Sequence, residues 1–127
     1  MKVTVVGAGN VGATCADVLA CRTFIDEIVL LDVKDGVAEG KALDIWQTAP
    51  IRGFNTRLTG STNDYSKTAG SDVVVITSGV PRKPGMSRDD LIGINAGLVK
   101  SVTDQVVQHP PDPKNLILPT PLHLRHI

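Results

Sequence analysis

Three glycines and an aspartate stand at spacings that suit the binding of a phosphorylated ligand. The stretch VTVVGAGNVG, residues 3–12, puts Gly7, Gly9 and Gly12 behind four residues that read as a buried strand and at the head of a helical pattern. Glycine inside an element costs roughly 0.5–1 kcal/mol relative to alanine, so three in six positions need a physical reason. A G-x-G-x-x-G run between a strand and a helix supplies one. Gly7 permits a tight turn, Gly9 lets backbone approach a pyrophosphate, and Gly12 lets helix and strand pack closely. The N–H groups of the turn, through Ala8, Asn10 and Val11, meet the phosphates at the positive end of the helix. Asp32 ends the next apolar run, where its carboxylate can accept hydrogen bonds from an adenosine ribose. The same charge repels a 2′-phosphate and so favours NAD over NADP.

A second chemical cluster is SGVPRKPGMSRDDL, Ser78 to Leu91. Arg82, Lys83 and Arg88 are cationic, Pro81 and Pro84 stiffen the segment, and Gly79 and Gly85 offer hinges. It follows the most apolar run of the chain, where ligands sit in an open parallel sheet. A hinged basic loop at that position suits a lid closing on an anionic substrate. Lys83 reads as a solvated charge on the outside of that lid.

The elements that must position these groups alternate. Lys2–Val6 and EIVLLD, residues 27–32, are apolar strands, DVVVIT at 72–77 is the strongest, and TRLTG at 56–60 is a weaker one. Between them, helical spacing is predicted over Asn10–Arg22, from Val37 to Pro50, and from about Arg88 to Gln108. In the last of these Leu91, Asn95, Leu98, Val102 and Val106 form a stripe. Strands apolar throughout, separated by helices, indicate a parallel sheet covered on both faces. Five of the eight prolines, at 110, 111, 113, 119 and 121, fall in the last 18 residues. NLIL at 115–118 is the strand-like piece left there, and Pro119, without a donor, should stop it.

Composition narrows the class further. The chain has 127 residues, enough for one domain, with 42% hydrophobic and 20% charged residues. Lys plus Arg and Asp plus Glu are 13 each, so no bulk field draws it to nucleic acid or anionic lipid. The apolar run Val3–Val6 is too short for a membrane span or signal-peptide core. Cys15 and Cys21 fall on different faces of one predicted helix. They read as buried free thiols suited to a reducing cytoplasm.

The segments VGAGNVGA, LLDV, GKALDI, GVPRKPGMSRDDL and NAGLVK appear in order and at characteristic spacing. In these the chain resembles NAD-dependent malate dehydrogenases of the lactate-dehydrogenase-like bacterial type, over about residues 1–108. The resemblance implies an α/β fold, a Rossmann-type doubly wound parallel sheet, as a domain of residues 1–108 with a lid at 79–88. A C-terminal substrate domain would lie outside this chain, leaving residues 109–127 as a proline-rich tail. It implies that Arg82 holds the distal carboxylate of malate or oxaloacetate and that Arg88 polarises the reacting carbonyl. Asn95 would lie beside the cofactor; from its place on the apolar stripe alone it reads equally as a satisfied core amide. Lactate dehydrogenases share the fold but usually carry glutamine where this chain has Arg82. The helix at 37–49, with Trp46, would pack against a second subunit, giving a homodimer or homotetramer.

The chain also departs from the family pattern. Its fifth strand would normally run into Ser-Asn-Pro-Leu-Asp, whose asparagine contacts cofactor and substrate. Pro119, Thr120 and His123 replace the serine, asparagine and aspartate here, and Thr120 keeps a single hydroxyl donor. The resemblance places no catalytic group within the chain. The proton-transfer histidine, its aspartate partner and a third substrate arginine are expected beyond Ile127. His109, His123 and His126 do not substitute for that histidine. Two readings from other classes stand beside the enzyme: a stand-alone NAD-binding regulatory module, and an interaction domain working through the 37–49 helix.

Overall fold

The computed structural model describes residues 1–109 and the backbone of 116–119. Strands β1 (Lys2–Val6), β2 (Glu27–Asp32), β3 (Arg57–Thr62), β4 (Val73–Ile76) and β5 (Leu116–Pro119) form one parallel sheet in the order β3-β2-β1-β4-β5. Helices α1 (Asn10–Ala20), α2 (Val37–Trp46), α3 (Ala49–Arg52) and α4 (Arg88–Gln108) connect them, with a 3₁₀ turn at Tyr65–Thr68. The chain runs outward from β1 to β3, then restarts beside β1 with β4, so the sheet reverses direction of growth between β1 and β4. That is the doubly wound α/β arrangement.

Successive strand residues point to opposite faces, and here both faces are covered. Val3, Val5, Ile28 and Leu30 enter one cluster with Ala16, Ala20, Ala38 and Ala42 of α1 and α2. Val6, Leu31, Val74 and Ile76 enter the other with Val102 and Val106 of α4 and Tyr65. Double-sided burial explains why these strands read as unbroken apolar runs. Thr4 is the polar interruption, and its fully buried hydroxyl lies 2.6 Å from that of Ser71. At β3 the packing is tighter still. A Cβ on Gly60 would lie 2.2 Å from Cα of Glu39, so α2 rests directly on the strand backbone.

Several expected boundaries move. The first helix ends at Ala20 rather than Arg22, and Cys21 caps it from an exposed position. Cys15 is half-buried, so the expectation of two buried thiols is wrong at Cys21, which the helix end turns outward. The helix expected from Val37 to Pro50 is two helices. The Thr48 hydroxyl donates to the Ile45 carbonyl at 2.6 Å, closing α2. Pro50 then sits in the first turn of α3, where its missing N–H costs nothing. The third strand runs to Thr62 rather than Gly60, and the fourth stops at Ile76 rather than Thr77. The fifth spans 116–119, with Pro119 its last residue, in register with Ile76. His109 caps the end of α4. Thr120, His123, His126 and the final residue, Ile127, lie outside the described residues.

Candidate functional site

The carboxyl ends of β1, β2 and β4 converge on a groove of about 300 Å³. Gly7, Gly9, Asp32 and Val33 line it together with Tyr65, residues 77–80, Leu98 and Val102. The groove lies where the strand order reverses, the position at which open α/β sheets hold ligands.

The glycine turn is built as its spacing predicts. Gly7 has φ +104°, and its N–H donates to the Leu31 carbonyl at 2.7 Å, tying the turn to β2. A Cβ on Gly12 would stand 1.7 Å from the Gly7 carbonyl oxygen, so α1 can start this close to β1 only with glycine there. The Thr77 hydroxyl seals the back of the turn, 3.1 Å from both the Val6 and the Gly7 carbonyl oxygens. Gly9 faces open space, with nothing within 4 Å of where its Cβ would be. Gly9 is also the N-cap of α1, and no side chain caps that helix. The first N–H groups of a helix lack intrahelical acceptors. An anion beside Gly9, Asn10 and Val11 would supply them, so these residues fit a pyrophosphate. Asn10 and Val11 are exposed in the first turn.

Asp32 stands at the groove edge. Its Oδ2 accepts the Ala8 N–H at 2.6 Å, so that donor, expected at the phosphates, is already committed to Asp32, and its Oδ1 accepts the Lys34 N–H at 3.0 Å. An ionised carboxylate has about four acceptor positions, so two remain for ribose hydroxyls. Lys41 completes the hold on the turn, its Nζ donating to the Ala8 carbonyl at 2.6 Å. Tyr65 is buried against the groove, and burial pushes its hydroxyl pKa up, with the Asp32 charge adding to the shift.

The segment expected from the sequence to be a lid leaves the sheet after β4. Asn95 is buried on α4, its Oδ1 accepting the Val80 N–H at 2.9 Å and its Nδ2 donating to the Val80 carbonyl at 3.4 Å. Asn95 therefore stands behind the groove wall and holds Val80, which lines it. From Pro81 to Gly85 the residues are exposed, and Gly85 adopts φ +85°. Arg82 folds back within the loop, its Nε donating to the Met86 carbonyl at 3.1 Å. Ser87 caps α4 reciprocally with Asp90, and that bonding holds the Asp90 carboxyl below its ordinary range. Arg88 is exposed at the first position of α4. Neither Arg82 nor Arg88 lines the groove, so the two substrate candidates stand outside its lining.

Sequence reading does not single out Tyr65, Thr77 as a seal, or Lys41. Thr77 carries a signal, as a polar residue directly after the strongest strand. Tyr65 and Lys41 carry none, because their roles arise from contacts between separate elements.

Comparison with known proteins extends the geometry. Residues 1–125 match the family described as lactate/malate dehydrogenase, NAD binding domain. A malate dehydrogenase of Cytophaga hutchinsonii is 68% identical over 96% of this chain, which spans 39% of that relative. The malate dehydrogenase structure from Salinibacter ruber superposes with a TM-score of 0.83 at 48% identity, over 94% of this chain and 36% of that one. The Archaeoglobus fulgidus malate dehydrogenase in complex with NADH gives a TM-score of 0.84 at 38% identity, over 94% and 40%. The chain thus spans about two fifths of the length of the curated relatives it matches. A matching family model over nearly all its residues, and a groove whose open glycine turn and acidic edge fit a dinucleotide, place the chain in the lactate/malate dehydrogenase family as an NAD-binding domain.

Proposed function

We propose that this chain is the NAD-binding part of a malate dehydrogenase. The complete protein would catalyse reversible hydride transfer between (S)-malate and NAD, giving oxaloacetate and NADH. NAD, when bound, supplies the hydride acceptor. The chain's own residues bind and orient it: the Gly9–Val11 N–H groups at the pyrophosphate, and Asp32 at the adenosine ribose. Asn95 holds Val80, one of the residues that line the groove. The observation that carries the substrate assignment is Arg82 on the lid, in a chain so similar to malate dehydrogenases. Its Nε is satisfied within the loop, and its terminal amino groups have no acceptor among the described residues. A guanidinium with two parallel donors to offer suits a second carboxylate. Arg88 puts a cation at the positive end of α4, a position that an anionic ligand relieves. In this reading Arg88 polarises the reacting carbonyl and steadies the developing alkoxide.

The proton-transfer group is assigned beyond Ile127, so the 127-residue chain alone is expected not to oxidise malate. Positioned acid–base catalysis typically supplies about 10²–10⁴-fold. A second copy is expected to dock on α2, where Leu43 and Trp46 are half exposed. A cytoplasmic location accompanies the reading.

The test is substrate choice in the complete protein. A lid closed over pyruvate would strand the Arg82 charge, a mismatch polar sites reject by about 10⁴-fold. Arg82→Gln should sharply lower kcat/KM for oxaloacetate while raising it for pyruvate. Arg88→Gln should depress both, since both substrates carry the carbonyl. An equal loss on both substrates in Arg82→Gln would sink the malate assignment.

A further inference from the structure

The glycine turn has a weakness that its composition creates. Nothing lies within 4 Å of Gly9 on its open side, and glycine imposes little steric restriction on its own backbone. On its Gly9 side the Ala8–Gly9 peptide therefore meets no side-chain obstacle to rotation, and it carries the Gly9 N–H assigned to the pyrophosphate. Two side chains hold the residue before it. Asp32 Oδ2 takes the Ala8 N–H at 2.6 Å, and Lys41 Nζ, from α2, takes the Ala8 carbonyl at 2.6 Å.

The second bond acts on the peptide that matters. The bond is trans, so the Ala8 carbonyl and the Gly9 N–H point in opposite directions across one rigid plane. Lys41 lines a cleft between α1 and α2 together with Ala13 and Thr14, and it is absent from the groove that Gly9 lines. Pulling the carbonyl toward α2 thus turns the Gly9 N–H away from α2. From these contacts we infer that Lys41 is a positioning residue for the cofactor. It fixes the Ala8–Gly9 peptide with its N–H presented to the pyrophosphate, and it does so without touching the ligand. The ammonium also polarises that peptide, since a charged donor makes a shorter and stronger bond than a neutral one. Asp32 and Lys41 together fix both ends of the Ala8 residue, one from β2 and one from α2.

The inference rests on the assignment of the glycine turn to NAD, and its cost follows from population. A site whose competent form is only fractionally populated binds more weakly by that fraction. If loss of the clamp leaves the peptide correctly turned about a tenth of the time, affinity falls about tenfold.

The experiment uses the complete protein and its Lys41→Met and Lys41→Arg variants. NADH binding is followed by fluorescence titration, and ADP-ribose and adenosine by competition. The inference expects Lys41→Met to weaken NADH and ADP-ribose by about tenfold while adenosine, which has no pyrophosphate, binds as before. Lys41→Arg, which restores a charged donor, should recover most of the loss. Amide exchange in the unliganded protein should quicken at Gly9 in Lys41→Met and stay unchanged in the β1–β2 core. The inference is overturned if all three ligands bind Lys41→Met as they bind the parent, or if all three weaken equally, which marks a general disturbance. A parent protein that fails to bind NADH at all would overturn the cofactor assignment, and this inference with it.

Discussion

Gly12→Ala tests the central packing claim, because one methyl group is placed against immovable atoms. Its Cβ would stand 1.7 Å from the Gly7 carbonyl oxygen and 2.9 Å from the carbonyl carbon. An ordinary carbon–oxygen contact is about 3.3 Å, so roughly 1.6 Å of movement is needed. The obstacle is backbone on both sides, the start of α1 and the turn that Gly7 makes at φ +104°. Overpacking typically costs 1–3 kcal/mol, and backbone that cannot rotate aside puts this site at about 3 kcal/mol. Alanine's better helix propensity offsets about 1 kcal/mol, leaving a net loss of about 2 kcal/mol. That is a large share of the 5–15 kcal/mol typical of a domain. Urea denaturation of the complete protein should show a lower midpoint with an unchanged slope. Displacing the Gly7 carbonyl also disturbs the Thr77 hydroxyl seal, so NADH affinity should fall in parallel. Gly97→Ala is the matched control, an exposed glycine of α4 with nothing within 4 Å of the new Cβ, and should be neutral or stabilising by up to about 1 kcal/mol. Stability within about 0.5 kcal/mol of the parent for Gly12→Ala, with NADH binding intact, would refute the close approach of α1 to β1.

Asp32→Ala should weaken NADH by about 10–150-fold, the 1.5–3 kcal/mol of hydrogen bonds to a charged group, and relax the exclusion of NADPH. Calorimetric titration with both cofactors checks this, and unchanged affinities would remove Asp32 from the ribose. Helix α4 should show a pH signature through Asp90, whose folded pKa is lowered by the Ser87 bonds. A depressed carboxylate adds stability above its unfolded pKa and loses it as pH falls through the folded value. The melting-temperature gap between the parent and Asp90→Asn should therefore be full at neutral pH and close below about pH 4; a gap independent of pH would discount the cap.

Legibility from sequence tracks how local the determinants are. Strands β1, β2 and β4 and helix α4 are readable because each carries its own periodicity or its own unbroken apolar run. The glycine turn is readable because its purpose is served by missing side chains at fixed offsets, and Gly12 against the Gly7 carbonyl meets that expectation. The break between α2 and α3 is hidden because Pro50 is compatible with a helix start as well as a helix end. Cys21 is misplaced by pattern alone because small residues run past the actual end of α1 without a stop signal. Lys41 and Tyr65 are invisible for a different reason. Their partners, Ala8 and the Asp32 charge, are brought near by the sheet order and by α2 packing on Gly60.

The two loops that leave the sheet at the groove, after β1 and after β4, share one construction. Each is anchored where it leaves the sheet by side chains that satisfy both backbone groups of a single residue. Asp32 and Lys41 do this for Ala8, and Asn95 does it alone for Val80. Both anchors come from rigid elements packed against the sheet: β2 and α2 for the first, α4 for the second. Beyond Val80 the pattern stops. The bonds made from Arg82 to Met86 are internal to the loop, and the sheet takes no part in them. A segment anchored at Val80 and at the Ser87 cap, and bonded only to itself between them, can change its angle to the groove without breaking a core contact. The cofactor side, by contrast, has no such freedom, since any tilt of the Ala8–Gly9 peptide must break a bond to a charged side chain. A glycine turn held by charged side chains thus stands beside a segment bonded only to itself, so a ligand cradle that stays fixed is joined to a loop that can move independently of it.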